Sequence, residues 1–157
     1  MEENLEQNDH PPPASITVLG DAELNYKWLE EKSKAALLFL DKHEYDLSVQ
    51  VVDEEVMSML HIKHSQVDNA TDVLTFDHGS NTDTVYADIA ICIDVAEAEA
   101  ATRAHNVHNE LLLYIVHGIL HCCGFDDLDE EGHAIMHAEE DRVLNAIGVG
   151  SVWSNAS

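Results

Sequence analysis

Basic residues are scarce in this chain. Seven lysines and arginines stand against 31 aspartates and glutamates in 157 residues, a formal net charge of −24. A surface so acidic repels polyanions, which argues against ordinary nonspecific nucleic-acid binding. Any contact with RNA has to overcome that repulsion. Cysteine is nearly as sparse. Cys92, Cys122 and Cys123 make an odd count with two adjacent, which is no disulfide framework. Cys122 and Cys123 could bind metal, but free cysteine is among the most buried residue types, so core packing is the expected role. Long apolar runs are missing too. The longest, residues 111–116, falls far short of the ~20 residues that span a bilayer. The acidic start, residues 1–8, has no apolar stretch of the kind a secretory signal carries. A cytoplasmic protein without membrane contact is expected. The three prolines are consecutive, Pro11, Pro12 and Pro13, and end a polar stretch that reads as a disordered arm over residues 1–13.

What remains is globular in composition, with 45% hydrophobic residues and a length that suits one domain with a proper core. That domain is expected over residues 14–150, followed by a tail, 151–157. Strand patterns occur at 15–19, 47–52, 71–76 and 84–93. The turn-like residues 77–83 between the last two suggest a hairpin. Helices are expected from Asp21 to about His43, from Asp53 to about Leu60, and from Asp94 to about His105, each capped by its aspartate. A fourth starts at residues 106–110, and a fifth runs from Asp129 to a stop at Gly148. The order β-α-β-α-β-β-α-α-α argues an α+β fold: a small mixed four-stranded sheet packed with about five helices. Lys27, Lys32, Lys34 and Lys42 collect on the first helix and its end. The i,i+4 pairs Glu23–Lys27 and Glu30–Lys34 favour an ordinary solvated face over a nucleic-acid face.

The chemistry concentrates in His117-Gly118-Ile119-Leu120-His121-Cys122-Cys123-Gly124-Phe125-Asp126-Asp127. The apolar run before it reads as a buried central helix. Two histidines four apart share one helix face, and both imidazoles can reach one metal ion. Gly124 offers the left-handed position that ends a helix. The turn lets Asp127 fold back as a third ligand. Three protein ligands leave room for water, which a catalytic metal site needs and a structural one lacks. Zn²⁺ is the expected ion. His133 and His137 are also four apart, but in an acidic segment with no turn and acid after them, and spacing alone is weak ground for a second site. His10, His43, His61, His64, His78, His105 and His108 read as surface or capping residues.

This stretch resembles the signature of the YbeY-type endoribonucleases, His-Gly-x-Leu-His-x-x-Gly-Tyr-Asp-His. Thr71-Asp72-Val73-Leu74-Thr75-Phe76 resembles the family's Thr-Asp-Val-Leu-Ser-Phe. Ala87-Asp88-Ile89-Ala90-Ile91-Cys92 resembles its Gly-Asp-Ile-x-Ile strand. The blocks stand in the family order, and the resemblance covers about residues 45–148. It implies a single-strand-specific, metal-dependent endoribonuclease acting in 16S rRNA 3′-end maturation and ribosome quality control, with rRNA and ribosomal or ribosome-associated proteins as partners. Two positions depart from the pattern. Asp127 replaces the usual histidine, which keeps metal binding but alters metal preference. Ser65 stands where the family tends to carry an arginine; Lys63 is the nearest cation, and His64 could become one.

A helix motif with Gly118 after the first histidine lacks the glutamate base of zinc proteases. Asp88 and Asp126 are therefore the candidate bases, or else groups that orient a histidine. Asp126 could equally be a turn residue, and Thr71 and Asp72 either line the cleft or cap a strand edge. Two rival readings remain: a zinc-dependent protease, against which Gly118 argues, and a non-catalytic, metal-stabilised ribosome assembly factor, which the net charge favours.

Overall fold

In the stretch 45–51, alternate residues are apolar, and Tyr45, Leu47, Val49 and Val51 are all buried. That period of two is what a strand with one face on a core requires. A computed structural model of the chain describes residues 13–65 and 72–154. The expected arm up to residue 12, Thr71 and residues 155–157 lie outside the described residues, as do the side chains of His64 and Ser65. The elements are β1 (Ala14–Gly20), α1 (Tyr26–Phe39), β2 (Glu44–Val52), α2 (Glu54–Ser65), β3 (Val73–Asp77), β4 (Thr84–Cys92), α3 (Ile93–Arg103), α4 (Val107–Cys122) and α5 (Glu130–Ala146). The fold is α+β, with one mixed sheet in the order β1-β2-β4-β3. β1 and β4 flank β2 in parallel, and Val49 lies opposite both Val18 and Ile89. β3 runs antiparallel to β4 as the expected hairpin. Parallel neighbours need crossovers, which α1 and α2 help to supply.

α4 is the element around which the others pack. Every residue from Glu110 to Val116 is buried, as are Ile119 and Leu120. It touches α1, α3, α5, β3 and β4. Gly118 makes the close approach to the sheet possible. A Cβ there would come within 2.6 Å of Ile89 Cδ1 and 2.9 Å of Thr75 Oγ1. On the other face of the sheet, α2 contributes Met57 to a smaller cluster with Ala90 and Cys92. Among the described residues no helix is long and apolar enough to cross a membrane.

Several boundaries differ from the sequence expectation, each for a local reason. α1 starts at Tyr26, because Asn25 rather than Asp21 accepts the cap bond from the Trp28 N–H, at 3.0 Å. Glu23 therefore lies ahead of the helix and has no turn on which to meet Lys27. Glu30 serves the sheet edge, where its Oε2 accepts the outward Val18 N–H at 2.9 Å. α1 ends at Phe39, short of His43, and Asp41 turns left-handed at φ 62°. Asp94 does not cap α3; it lies in the first turn and accepts the Glu54 N–H at 2.7 Å, tying α3 to the start of α2. Residues 151–154, expected as part of a tail, fold back onto α5. There Asp141 accepts the N–H groups of Val152, Trp153 and Ser154 at 2.7, 3.0 and 2.9 Å.

Candidate metal centre

Asn106 caps α4 by accepting the Asn109 N–H at 2.8 Å. From there the helical period carries His117 and His121 to the end of the helix, both half-buried. The helix stops in a Schellman turn: Gly124 N–H donates to His121 O and Phe125 N–H to Leu120 O, each at 3.1 Å. Gly124 takes φ 102°, a conformation open to glycine and costly for other residues. The chain then doubles back, and the Asp127 carboxylate lies 3.6 Å from His117 Nε2 and 3.8 Å from His121 Nε2. The two Nε2 atoms are 3.0 Å apart. Tetrahedral Zn²⁺ with bonds of 2.0–2.1 Å would separate its ligand atoms by about 3.4 Å. The donor set therefore fits a small divalent ion by spacing as well as by chemistry. Two facing imidazole lone pairs at this distance repel unless a proton or a cation stands between them.

Behind His117 stands Glu140, 1% exposed. Its Oε2 accepts from His117 Nδ1 at 2.5 Å, and its Oε1 accepts from the Trp153 indole N–H at 2.7 Å. The Nδ1 bond fixes the tautomer and leaves Nε2 facing Asp127 and His121. Burial works against a charged His117, but the Glu140 carboxylate, with Asp127 and Asp72 near, outweighs it and raises the pKa above the usual histidine range. Burial lowers His121, and the neighbouring His117 lowers it further. Sequence reasoning missed Glu140. The signal was an acid among Met136, Val143 and Leu144 on the apolar stripe of the last helix.

Other expected site residues fall elsewhere. Asp88 is exposed and pairs with His78 Nε2 at 2.9 Å. It points away from the face on which its neighbour Ile89 packs under Gly118, because successive strand residues alternate faces. Asp88 is therefore not placed to act as a base at the His117–His121–Asp127 cluster. Asp126 is exposed and holds the turn, its Oδ1 taking the Leu128 N–H at 3.4 Å. Asp72 does line the site, in a cavity of about 360 Å³ shared with His117, Asp127, Arg103 and Trp153. His117 and His121 also line a smaller hollow of about 250 Å³ beside β3. The His133 and His137 rings meet at a tilt of 57°, with centroids 4.1 Å apart. Among the described residues, His117, His121 and Asp127 are the one group of three or more such side chains arranged to hold an ion. Cys122 is buried and Cys123 partly so; burial pushes the Cys122 thiol up to about 11.

Comparison with known proteins matches residues 19–148 to the family model described as endoribonuclease YbeY. The endoribonuclease YbeY of Corynebacterium jeikeium is 32% identical over 138 residues, covering 80% of this chain and 76% of that protein. That of Caldicellulosiruptor saccharolyticus is 30% identical over 125 residues, covering 71% and 79%. The solution structure of TM1509 from Thermotoga maritima superposes with a TM-score of 0.64 at 25% identity, covering 85% of this chain and 89% of that one.

Proposed function

This chain belongs to the YbeY endoribonuclease family, and from that membership we propose that it is a metal-dependent, single-strand-specific endoribonuclease that matures the 3′ terminus of 16S rRNA. The observation that carries the reading is the cluster of His117 Nε2, His121 Nε2 and the Asp127 carboxylate, of which His117 and Asp127 line a cavity. These three side chains would hold one divalent ion, with Zn²⁺ favoured by the nitrogen-rich donor set. When bound, such an ion polarises a phosphoryl oxygen and makes a water acidic enough to ionise near neutral pH. Glu140 keeps His117 in the tautomer that presents Nε2. Arg103 lines the same cavity, and its guanidinium offers N–H donors to a phosphate beyond those engaged by Glu110 and Glu99. We assign Asp72, in the same wall, the role of accepting a proton from a water or a ribose hydroxyl.

Gly118 argues against proteolysis on structural grounds. Position 118 faces Ile89 and Thr75 on the sheet, so no side chain there could reach the cluster as a base. The net charge of −24 asks for help in bringing RNA to the site. We read that help as a basic ribosomal or ribosome-associated protein presenting the strand. Binding to naked RNA should then be weak at any ionic strength, and tight, salt-insensitive binding to naked RNA would contradict this reading.

The test is cleavage of matched single-stranded and duplex RNA by Zn²⁺-loaded protein, by chelator-stripped protein and by His117→Ala. Loaded wild-type protein should cut single strands, and the other two should lose nearly all activity. Loss of the fold on metal removal, with no RNA cut at any loading, would favour the non-catalytic assembly factor. Casein degradation abolished by Asp127→Ala would favour the protease.

A further inference from the structure

Trp153 lies past the last residue matched to the family model, residue 148, yet its side chain reaches the candidate metal centre. Three observations fix it there. The Asp141 carboxylate, at the buried face of α5, accepts the N–H groups of Val152, Trp153 and Ser154. The His137 ring stacks on the indole, centroids 3.6 Å apart and planes 9° from parallel. The Arg103 guanidinium lies 4.7 Å from the ring centroid, and that arginine is itself anchored to the fully buried Glu110. With His137 stacked on it and the Arg103 guanidinium over the ring, the indole is not a free platform on which a nucleobase could stack. What it still offers is one directed donor, and that N–H goes to Glu140 Oε1 at 2.7 Å.

We infer that Trp153 is a positioning residue for the metal centre: it holds Glu140, which holds His117. A carboxylate with one oxygen bonded to His117 could rotate about its last torsion and present either oxygen. The indole N–H takes the second oxygen and leaves one orientation that satisfies both donors. An indole in place of bulk water also keeps that carboxylate dry, which strengthens its bond to the imidazole. The segment 149–154 thereby acts as a strap, adding to the ligand set a third layer drawn from outside the matched region. This inference rests on the metal reading of His117, His121 and Asp127 given above.

The experiment measures Zn²⁺ affinity of the full chain by competition with a chromophoric chelator. Trp153→Phe keeps an aromatic ring and removes the donor. Outer-layer partners of metal-bound histidines are worth 10–100-fold in affinity, so a group one bond further out should be worth about three- to tenfold. Glu140→Gln should cost more. In the Glu140→Gln background, Trp153→Phe should cost nothing further, because its effect runs through the lost carboxylate. A purely structural role would give the same penalty in both backgrounds. Equal affinity of Trp153→Phe and wild type, or additive losses in the double variant, overturns the inference while leaving the metal reading intact. A wild type that takes up no Zn²⁺ overturns both.

A second measurement guards against a Trp153→Phe chain that fails to fold. Trp28 and Trp153 are the two tryptophans, so their indole N–H signals in a ¹⁵N-labelled sample are separable. The Trp153 signal should move on Zn²⁺ titration of wild type and in apo Glu140→Gln. A signal unmoved in both overturns the inference.

Discussion

Met136, Glu140, Val143 and Leu144 lie along the face of α5 that packs inward, and all four are buried. A carboxylate in that position is costly unless its oxygens are bonded, and here the His117 and Trp153 N–H groups meet that need. Glu140→Gln keeps the shape and removes the charge that favours a firmly oriented imidazole. It should weaken Zn²⁺ binding by about 10–100-fold in chelator competition; an unchanged affinity would show that Glu140 is only a packed acid. Cys122 gives the opposite kind of residue-scale prediction. Its thiol, pushed up to about 11 by burial, is almost wholly protonated at pH 8. Iodoacetamide should alkylate it far more slowly in native than in denatured protein. Rapid alkylation of native Cys122 would show that its thiol is accessible and ionised. His117, His121 and Asp127 were legible as residues because helical spacing and the glycine turn act locally. Glu140 was not, because which ring a buried acid meets depends on how α4 and α5 cross, and no local pattern encodes that.

At the scale of elements, two glycines decide where the site forms. Gly118 lets α4 lie against β3 and β4, and because position 118 faces the sheet no base can follow the first histidine. Gly124 turns the chain at φ 102° and returns Asp127 to the histidines. Gly124→Ala should cost about 1–2 kcal/mol of stability in urea unfolding, the usual penalty for forcing a left-handed conformation on an L-residue. It should also weaken Zn²⁺ binding, since relief of that strain moves Asp127. Full retention of both would show that the turn is not what positions the acid. The helix and strand periods were readable over most of the chain, and Asn106, Asp53 and Asp129 cap as their types suggest. Asp21 and Asp94 misled because a cap is defined by backbone geometry at one residue, and acids near a helix start have other uses. Asp94 spends its carboxylate on the α2 backbone. Asp88 misled because a motif fixes its place in β4 but not the face to which it points.

The whole molecule carries 31 acids and few cations to offset them. Several of those cations hold the fold together: Lys32 Nζ donates to Ile147 O at 2.9 Å, Lys42 Nζ donates to Thr82 O, and Arg103 pairs with Glu110. Self-repulsion of the remaining charge should make the folded state salt-dependent. The Debye length falls from about 30 Å at 0.01 M to about 3 Å at 1 M salt, so Tm should rise by several degrees between those conditions. A Tm that falls with salt would mean that ion pairs outweigh repulsion. The overall charge was legible from composition, whereas the cavity that gathers Asp72, Arg103, His117, Asp127 and Trp153 was not, since its walls come from segments far apart in the chain. The central claim is that His117, His121 and Asp127 together hold one cation. Elemental analysis of purified, dialysed protein after loading with Zn²⁺ tests it directly, with His117→Ala and Asp127→Ala alongside. The account predicts about one equivalent per chain in wild type and almost none in either variant. A wild type without bound metal, or variants that retain a full equivalent, would contradict it.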